Sequence, residues 1–258
     1  MIRVVFNQKG GVGKSSIAVN LAAISAYNGL KTLVIDLDPQ CNSTHYLLGD
    51  DSNLPTSDIR DFFEQTLSFQ LKPHPPSNYV HETPFDNLWL IPSNPDITDL
   101  QSKLETKHKI YKLRDALQEL RDEYDVIYID TPPAFNFFTL SALAGAERCL
   151  IPFDCDEFAR QALYSLLNNI EETRADHNAG LTVEGIVVNQ FQPRATLPQR
   201  LVAELEAETV PVMKSRISSS VKMKESHIEA KPLIYLAPAH KLTQEFVALY
   251  NELNAAEI

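Results

Sequence analysis

Three of the chain's eight glycines, Gly10, Gly11 and Gly13, crowd into four positions. They stand between an apolar run, Ile2–Phe6, and a stretch with helical spacing, Ile17–Tyr27. Strand, glycine turn and helix in that order constrain the fold more than any other feature of the sequence. Glycine tolerates φ > 0, so consecutive N–H groups can turn into one concavity. A helix starting near Lys14 adds its free N–H groups and the positive end of its dipole. The turn therefore predicts an anion cradle built from Gly10, Gly11, Val12, Gly13, Lys14, Ser15 and Ser16. Lys14 supplies a point charge toward the β- and γ-phosphates of a nucleotide, and Ser15 a hydroxyl for Mg²⁺. The plain alternative is a glycine turn with a solvated lysine.

The rest of the chain alternates in the same way. Thr32–Ile35, Leu88–Ile91, Val126–Ile129, Cys149–Phe153 and Gly185–Val188 are short apolar runs, with Val210–Met213 as a further short candidate. Segments such as VIYID and GIVVN are apolar throughout, as strands covered on both faces must be. Asp99–Arg121, Glu157–Thr173 and Thr243–Leu253 carry helical spacing, whereas Asp50–Asn87 is proline-rich and reads as loop. Strand–helix alternation predicts an α/β fold, a doubly wound, mostly parallel sheet flanked by helices with right-handed crossovers. No repeat or linker interrupts it, so residues 1–258 read as one domain. Hydrophobic residues at 44% and charged residues at 22% suit a packed soluble core. No apolar run is long enough to span a bilayer, and no secretory signal is visible at the N-terminus. Cys41, Cys149 and Cys155 match no metal or disulfide spacing and read as free thiols of the cytosol.

In a doubly wound sheet, ligands sit beyond the carboxyl ends of the strands. Two strands here end in aspartate: Asp36-Leu37-Asp38-Pro39-Gln40 and Asp130-Thr131-Pro132-Pro133. Asp130 suits Mg²⁺, a hard cation that takes one carboxylate and keeps several waters. Asp36 and Asp38 are read as parted, with only one facing the γ-phosphate and Asp36 open to a helix-capping role. The late strand GIVVN ends in Asn189, whose amide offers donor and acceptor together, as an adenine edge requires. A turn asparagine is the alternative.

The strict GxxxxGK[ST] pattern fails, because its first glycine would fall at Gln8, and a lysine, Lys9, precedes the glycine pair. KGGVGKS resembles the deviant Walker A motif of the ParA/MinD family of P-loop ATPases. That resemblance implies ATP/ADP and Mg²⁺ as cofactors and a homodimer formed with ATP, in which Lys9 reaches the partner's nucleotide. DLDPQ resembles the family's second nucleotide motif, which gives Asp38 the placing of the attacking water and Asp36 support of Mg²⁺ or of the loop. Cys41 stands where the family's DPQGN has glycine. Thr131-Pro132-Pro133 resembles its switch region, and Asn189 its adenine contact. LWLIPS with Pro95-Asp96-Ile97, and Ser226-His227-Ile228-Glu229-Ala230-Lys231-Pro232-Leu233, resemble further family segments, the latter with alanine for glycine. These favour the ParA branch.

For that branch the resemblance implies non-specific DNA binding by the ATP dimer. It also implies positioning of a plasmid, chromosome or protein cargo, a small ParB-like stimulating partner, slow hydrolysis without it, and a cytoplasmic, nucleoid-associated place in the ATP state. A net charge of -11 repels nucleic acid on average, so contact needs a local patch. Val210–Lys224 is free of acidic residues, and Arg216, Lys222 and Lys224 there, with Arg194 nearby, are the DNA candidates. A solvated face is the alternative. A MinD-like membrane-surface ATPase would call for a basic amphipathic end, whereas QEFVALYNELNAAEI is acidic. A metabolic enzyme on the same fold, or a nucleotide-switched scaffold, is the remaining rival.

Overall fold

The computed structural model describes residues 1–49, 55–155, 159–192, 195–208 and 210–255. Among the described residues seven strands make one sheet: β1 (Ile2–Val5), β2 (Thr32–Asp36), β3 (His81–Glu82), β4 (Leu88–Ile91), β5 (Val126–Asp130), β6 (Arg148–Asp154) and β7 (Thr182–Asn189). Their order is β3-β4-β2-β5-β1-β6-β7. Every pairing is parallel except the edge pair β3–β4. The residues dictate this. TLVID of β2 and VIYID of β5 are buried at every position, so both faces need helical cover, and parallel neighbours need crossovers that supply it.

The pleat sorts the core into two layers. Ile2, Val4 and Phe6 point to one side, where α3 (Ile59–Gln65), α4 (Gln101–Thr106), α5 (Lys112–Leu120), α6 (Phe137–Gly145), α7 (Ala159–Asp176) and α8 (Thr196–Ala207) pack. Val5 points to the other, against α1 (Lys14–Tyr27), α2 (Asn42–Leu48), α10 (Leu233–Leu236) and α11 (Lys241–Ala255). A short helix α9 (Val221–Ile228) precedes α10. The chain leaves β1 through α1 to β2 on one side, while β6 and β7 lie on the other. The crevice at the carboxyl end of β1 is thus the place where such sheets hold ligands.

Two expectations change. The proline-rich stretch is not all loop, since it contains α3, a 3₁₀ turn at Pro76–Tyr79 and β3. Asp58 starts α3 with a capping box, accepting from the N–H groups of Arg60 and Asp61 while Asp61 caps it in return. The Val210–Met213 run makes only an isolated bridge, Val212 to Ile186, instead of a strand. Asp99–Arg121, whose spacing reads as one or two helices, holds two, α4 and α5, parted where His108 takes a φ of 52°. The helix expected over residues 157–173 corresponds to α7, and residues 157 and 158 lie outside the described residues.

Candidate functional site

The glycine turn lies between β1 and α1, where the sequence places it. Gly11 and Gly13 have φ of 76° and 88°, in the left-handed region. Gly13 is the N-cap of α1 and offers no side-chain acceptor, so the helix's first N–H groups face the concavity uncapped. Three amides hold the loop from behind. Asn189 Nδ2 donates to the Val12 carbonyl at 2.8 Å. Gln190 Nε2 donates to the Gly11 carbonyl at 2.8 Å. Asn7 accepts from the Lys9 N–H at 2.9 Å and donates to Pro152 O at 2.7 Å. A Cβ on Gly13 would lie 2.2 Å from Asn189 Nδ2, so the close approach itself demands glycine there. Lys14 is buried and its Nζ donates to Lys9 O at 3.3 Å. Burial lowers its pKa, and the charges of Asp130 and Asp38 oppose that.

The carboxylates stand side by side because β2 and β5 pair in register, Asp36 opposite Asp130. Asp130 Oδ2 accepts from Ser43 Oγ at 2.7 Å, and Ser15 also hydrogen-bonds this carboxylate. Its Oδ1 is buried without a partner. Burial pushes its pKa up to about 6, against the pull of the two serines. Asp36 is spent on its own loop. Its Oδ1 accepts from the Asp38 N–H at 3.0 Å, and its Oδ2 from Thr44 N and Oγ1 at 2.9 and 2.8 Å. Burial and the neighbouring Asp130 raise its carboxyl well above the ordinary range. Asp38 is buried, accepts from the Gln40 N–H at 2.9 Å, and has its pKa raised by burial while Lys14 opposes the rise. Positions i and i+2 share a face in an extended strand, so what parts these two carboxylates is the turn after Asp36. Thr131 Oγ1 donates to Val5 O at 2.8 Å, tying the segment after β5 to the root of the glycine loop.

The two departures from family glycines have a common geometry. Cys41 and Ala230 take φ of 54° and 45°, both left-handed. A residue with a Cβ pays about 1–2 kcal/mol there, partly offset by glycine's greater unfolded freedom. Ala230→Gly is expected to raise stability by about 1 kcal/mol, read as a melting-temperature rise of about 2–4 °C. An unchanged or lower melting temperature would show that Ala230 carries no strain.

Lys9 folds back on its own chain, with Nζ 3.7 Å from Asp154 Oδ2 and its side chain 36% exposed. The DNA candidates are less bare than the sequence suggests. Arg216 pairs with Glu206 at 3.1 Å and lies over the Phe191 ring at 4.9 Å. Lys222 pairs with Glu225. Lys224 lies on α9, and Arg194 lies outside the described residues. Glu252 of α11 accepts from the backbone of Lys214 and Ser215. Sequence reasoning missed Asn7, Ser43, Thr44, Gln190 and His227, whose Nε2 is 2.9 Å from Ser16 Oγ. Among the described residues no helix is long and apolar enough to cross a membrane.

Residues 1–183 match the family described as AAA domain. The chain is 33% identical over 251 residues to the chromosome partitioning protein ParA of Myxococcus xanthus, covering 96% of this chain and 86% of that one. It is 34% identical over 251 residues to the chromosome-partitioning ATPase Soj of Thermus thermophilus, covering 96% and 93%. Its fold is similar to that of cobyrinic acid a,c-diamide synthase from Mycobacterium smegmatis with bound ATP analog and magnesium, at a TM-score of 0.82, 23% identity, and coverage of 97% and 92%. That last likeness is one of fold alone.

Proposed function

The chain belongs to the ParA-type P-loop partition ATPases, and from that premise we propose that it hydrolyses ATP with Mg²⁺ and works as an ATP-dependent dimer that binds DNA non-specifically to position a cargo. One observation carries the nucleotide assignment. Asp130 Oδ1 is buried and unpartnered beside Ser15, at the mouth of a left-handed glycine turn with a buried lysine. A buried carboxylate oxygen without a donor is costly unless a cation completes it. Oxygen donors from Ser15 and Asp130 are the kind a hard divalent ion takes. Bound there, Mg²⁺ would neutralise phosphate charge.

The chain's own residues do the rest. The amides of residues 10–16 bind the phosphates, and Lys14 bridges to the terminal ones. Asp38 accepts a hydrogen bond from the attacking water, and its raised pKa favours taking the proton. Asp36 holds the loop that carries Asp38. Asn189 has one amide hydrogen committed to Val12, leaving the other and its carbonyl oxygen for adenine. Lys9 and Asp154 form a half-exposed pair of the kind worth little, and in the dimer Lys9 meets a partner subunit's phosphate.

DNA contact falls to Arg216, Lys222 and Lys224, with Arg194. Because Glu206 and Glu225 already engage two of these, one subunit is a weak binder, and the dimer doubles the footprint. A small stimulating protein of the ParB kind and nucleoid association complete the proposal. The test is retention on random-sequence DNA with Mg·ATP. Retention is expected with ATP but not ADP, weakening with salt at a log–log slope of about -0.9 per phosphate contact. Lys9→Ala is expected to keep nucleotide binding and lose both dimer and retention. No retention at low salt would reject DNA binding, and an ATP dimer in Lys9→Ala would reject the cross-subunit role.

A further inference from the structure

His227 lies 211 residues from Ser16 in sequence, yet its Nε2 meets the Ser16 hydroxyl at 2.9 Å. That hydroxyl sits on the first turn of α1, one residue after Ser15. The imidazole is not placed there by chance packing. It stacks on Tyr46 with centroids 4.0 Å apart and an interplanar angle of 22°. Tyr46 is itself fixed by a directed chain. Asn20 Nδ2 donates to Tyr46 OH at 3.1 Å, Tyr46 bonds Ser226 Oγ, and Ser226 Oγ donates to Lys231 O at 2.6 Å. Asn20 Nδ2 also donates to Ser16 O at 2.8 Å, and its Oδ1 accepts from the Leu233 N–H at 2.9 Å. Helices α2, α9 and α10 are thus tied to α1 around Ser16, and α9 reaches its hydroxyl through His227.

We propose that His227 is a positioning residue for the nucleotide, donating from Nε2 to Ser16 so that the Ser16 hydroxyl is left to donate to a phosphate oxygen. A neutral imidazole has one N–H, and a serine hydroxyl has one proton and two acceptor lone pairs. Either Ser16 gives its proton to Nε2, or Nε2–H gives to Ser16. Burial of His227 lowers its pKa and keeps the ring neutral, so these two arrangements are the relevant ones. When a phosphate claims the Ser16 proton, only the second survives. Ser16 then bridges, accepting from α9 and donating to the ligand. Nucleotide occupancy and the seat of α9, which carries Lys222 and Lys224, are thereby linked, and such linkage is reciprocal. The inference rests on the nucleotide reading above.

Two variants separate the hydrogen bond from the stack. His227→Phe keeps a ring against Tyr46 and loses the donor, whereas His227→Gln keeps a donor near the Nε2 position. Calorimetry with Mg·ADP is expected to show a Kd raised about tenfold for His227→Phe and within about threefold of wild type for His227→Gln. Imidazole nitrogen NMR of the wild-type Mg·ADP complex is expected to show the Nε2–H tautomer for His227, its signals identified by their loss in His227→Gln. Wild-type affinity in His227→Phe would overturn the inference, as would an Nδ1–H tautomer in the complex or a Gln variant as weak as Phe. If His227→Phe fails to fold, His227→Asn, polar but too short to reach Ser16, takes its place with the same expectation. A wild-type protein that does not bind Mg·ADP at all would instead strike the nucleotide assignment itself.

Discussion

Lys14→Ala is expected to weaken Mg·ATP binding by at least about 100-fold, to below detection in calorimetry at micromolar protein. Lys14 is a buried ammonium held near the glycine loop by Lys9 O and faced by Asp130 and Asp38. Losing a charge-assisted hydrogen bond to phosphate costs about 1.5–3 kcal/mol. The loss is compounded because two carboxylates then face a polyanion with their cation gone, which turns attraction into repulsion. Lys14→Arg is not expected to rescue, since a planar guanidinium differs in shape from a point-charge ammonium in a cradle shaped by a left-handed turn. A thermal assay gives a second readout. Ligand at 100 times Kd stabilises wild type by about 2.7 kcal/mol, and that shift should vanish in the variant. Lys14→Ala with normal affinity would mean that nucleotide sits elsewhere.

The central strands and the phosphate loop were legible because their cause is local. A strand buried on both faces has no room for polar residues, so VIYID and TLVID announce themselves, and a left-handed turn needs glycine where Gly11 and Gly13 stand. The place of Asp130 at a strand end is legible for the same reason, since it closes such a run. What could not be read depends on contacts across the chain. Asp36 is claimed by Thr44 only because α2 folds back over β2. Val210–Lys224 lacks acidic residues in sequence, yet Glu206 comes from α8 and Glu245 and Glu252 from α11. Helix α3 was hidden by surrounding prolines, though Asp58 and Asp61, three apart before Phe62 and Phe63, carried a capping signal. His227 stands in a segment that resembles a family motif, but nothing local says what it touches, because Ser16 is brought to it by the stack of α1, α2 and α9.

Asp130→Asn should make the metal-free protein more stable while ending its turnover. In the folded chain burial lifts the Asp130 pKa from 3.8 to about 6. The folded state therefore binds the proton more tightly than the unfolded chain between those values. Stability conferred by the protonated group is lost as pH rises from about 4 to about 6, and the deficit persists above. Two pH units correspond to about 3 kcal/mol. Removing the charge also relieves Asp36, whose carboxyl is raised partly by Asp130. In EDTA at pH 7, urea unfolding is expected to place Asp130→Asn on the order of 2 kcal/mol above wild type, with the gap closing toward pH 4. Mg·ATP turnover should fall at least about 100-fold, since an amide is a poor substitute for a carboxylate toward a divalent cation. A variant less stable than wild type at pH 7 would mean that the Asp130 charge is already compensated without metal. The buried, donorless Oδ1 would then no longer be a reason to place magnesium there.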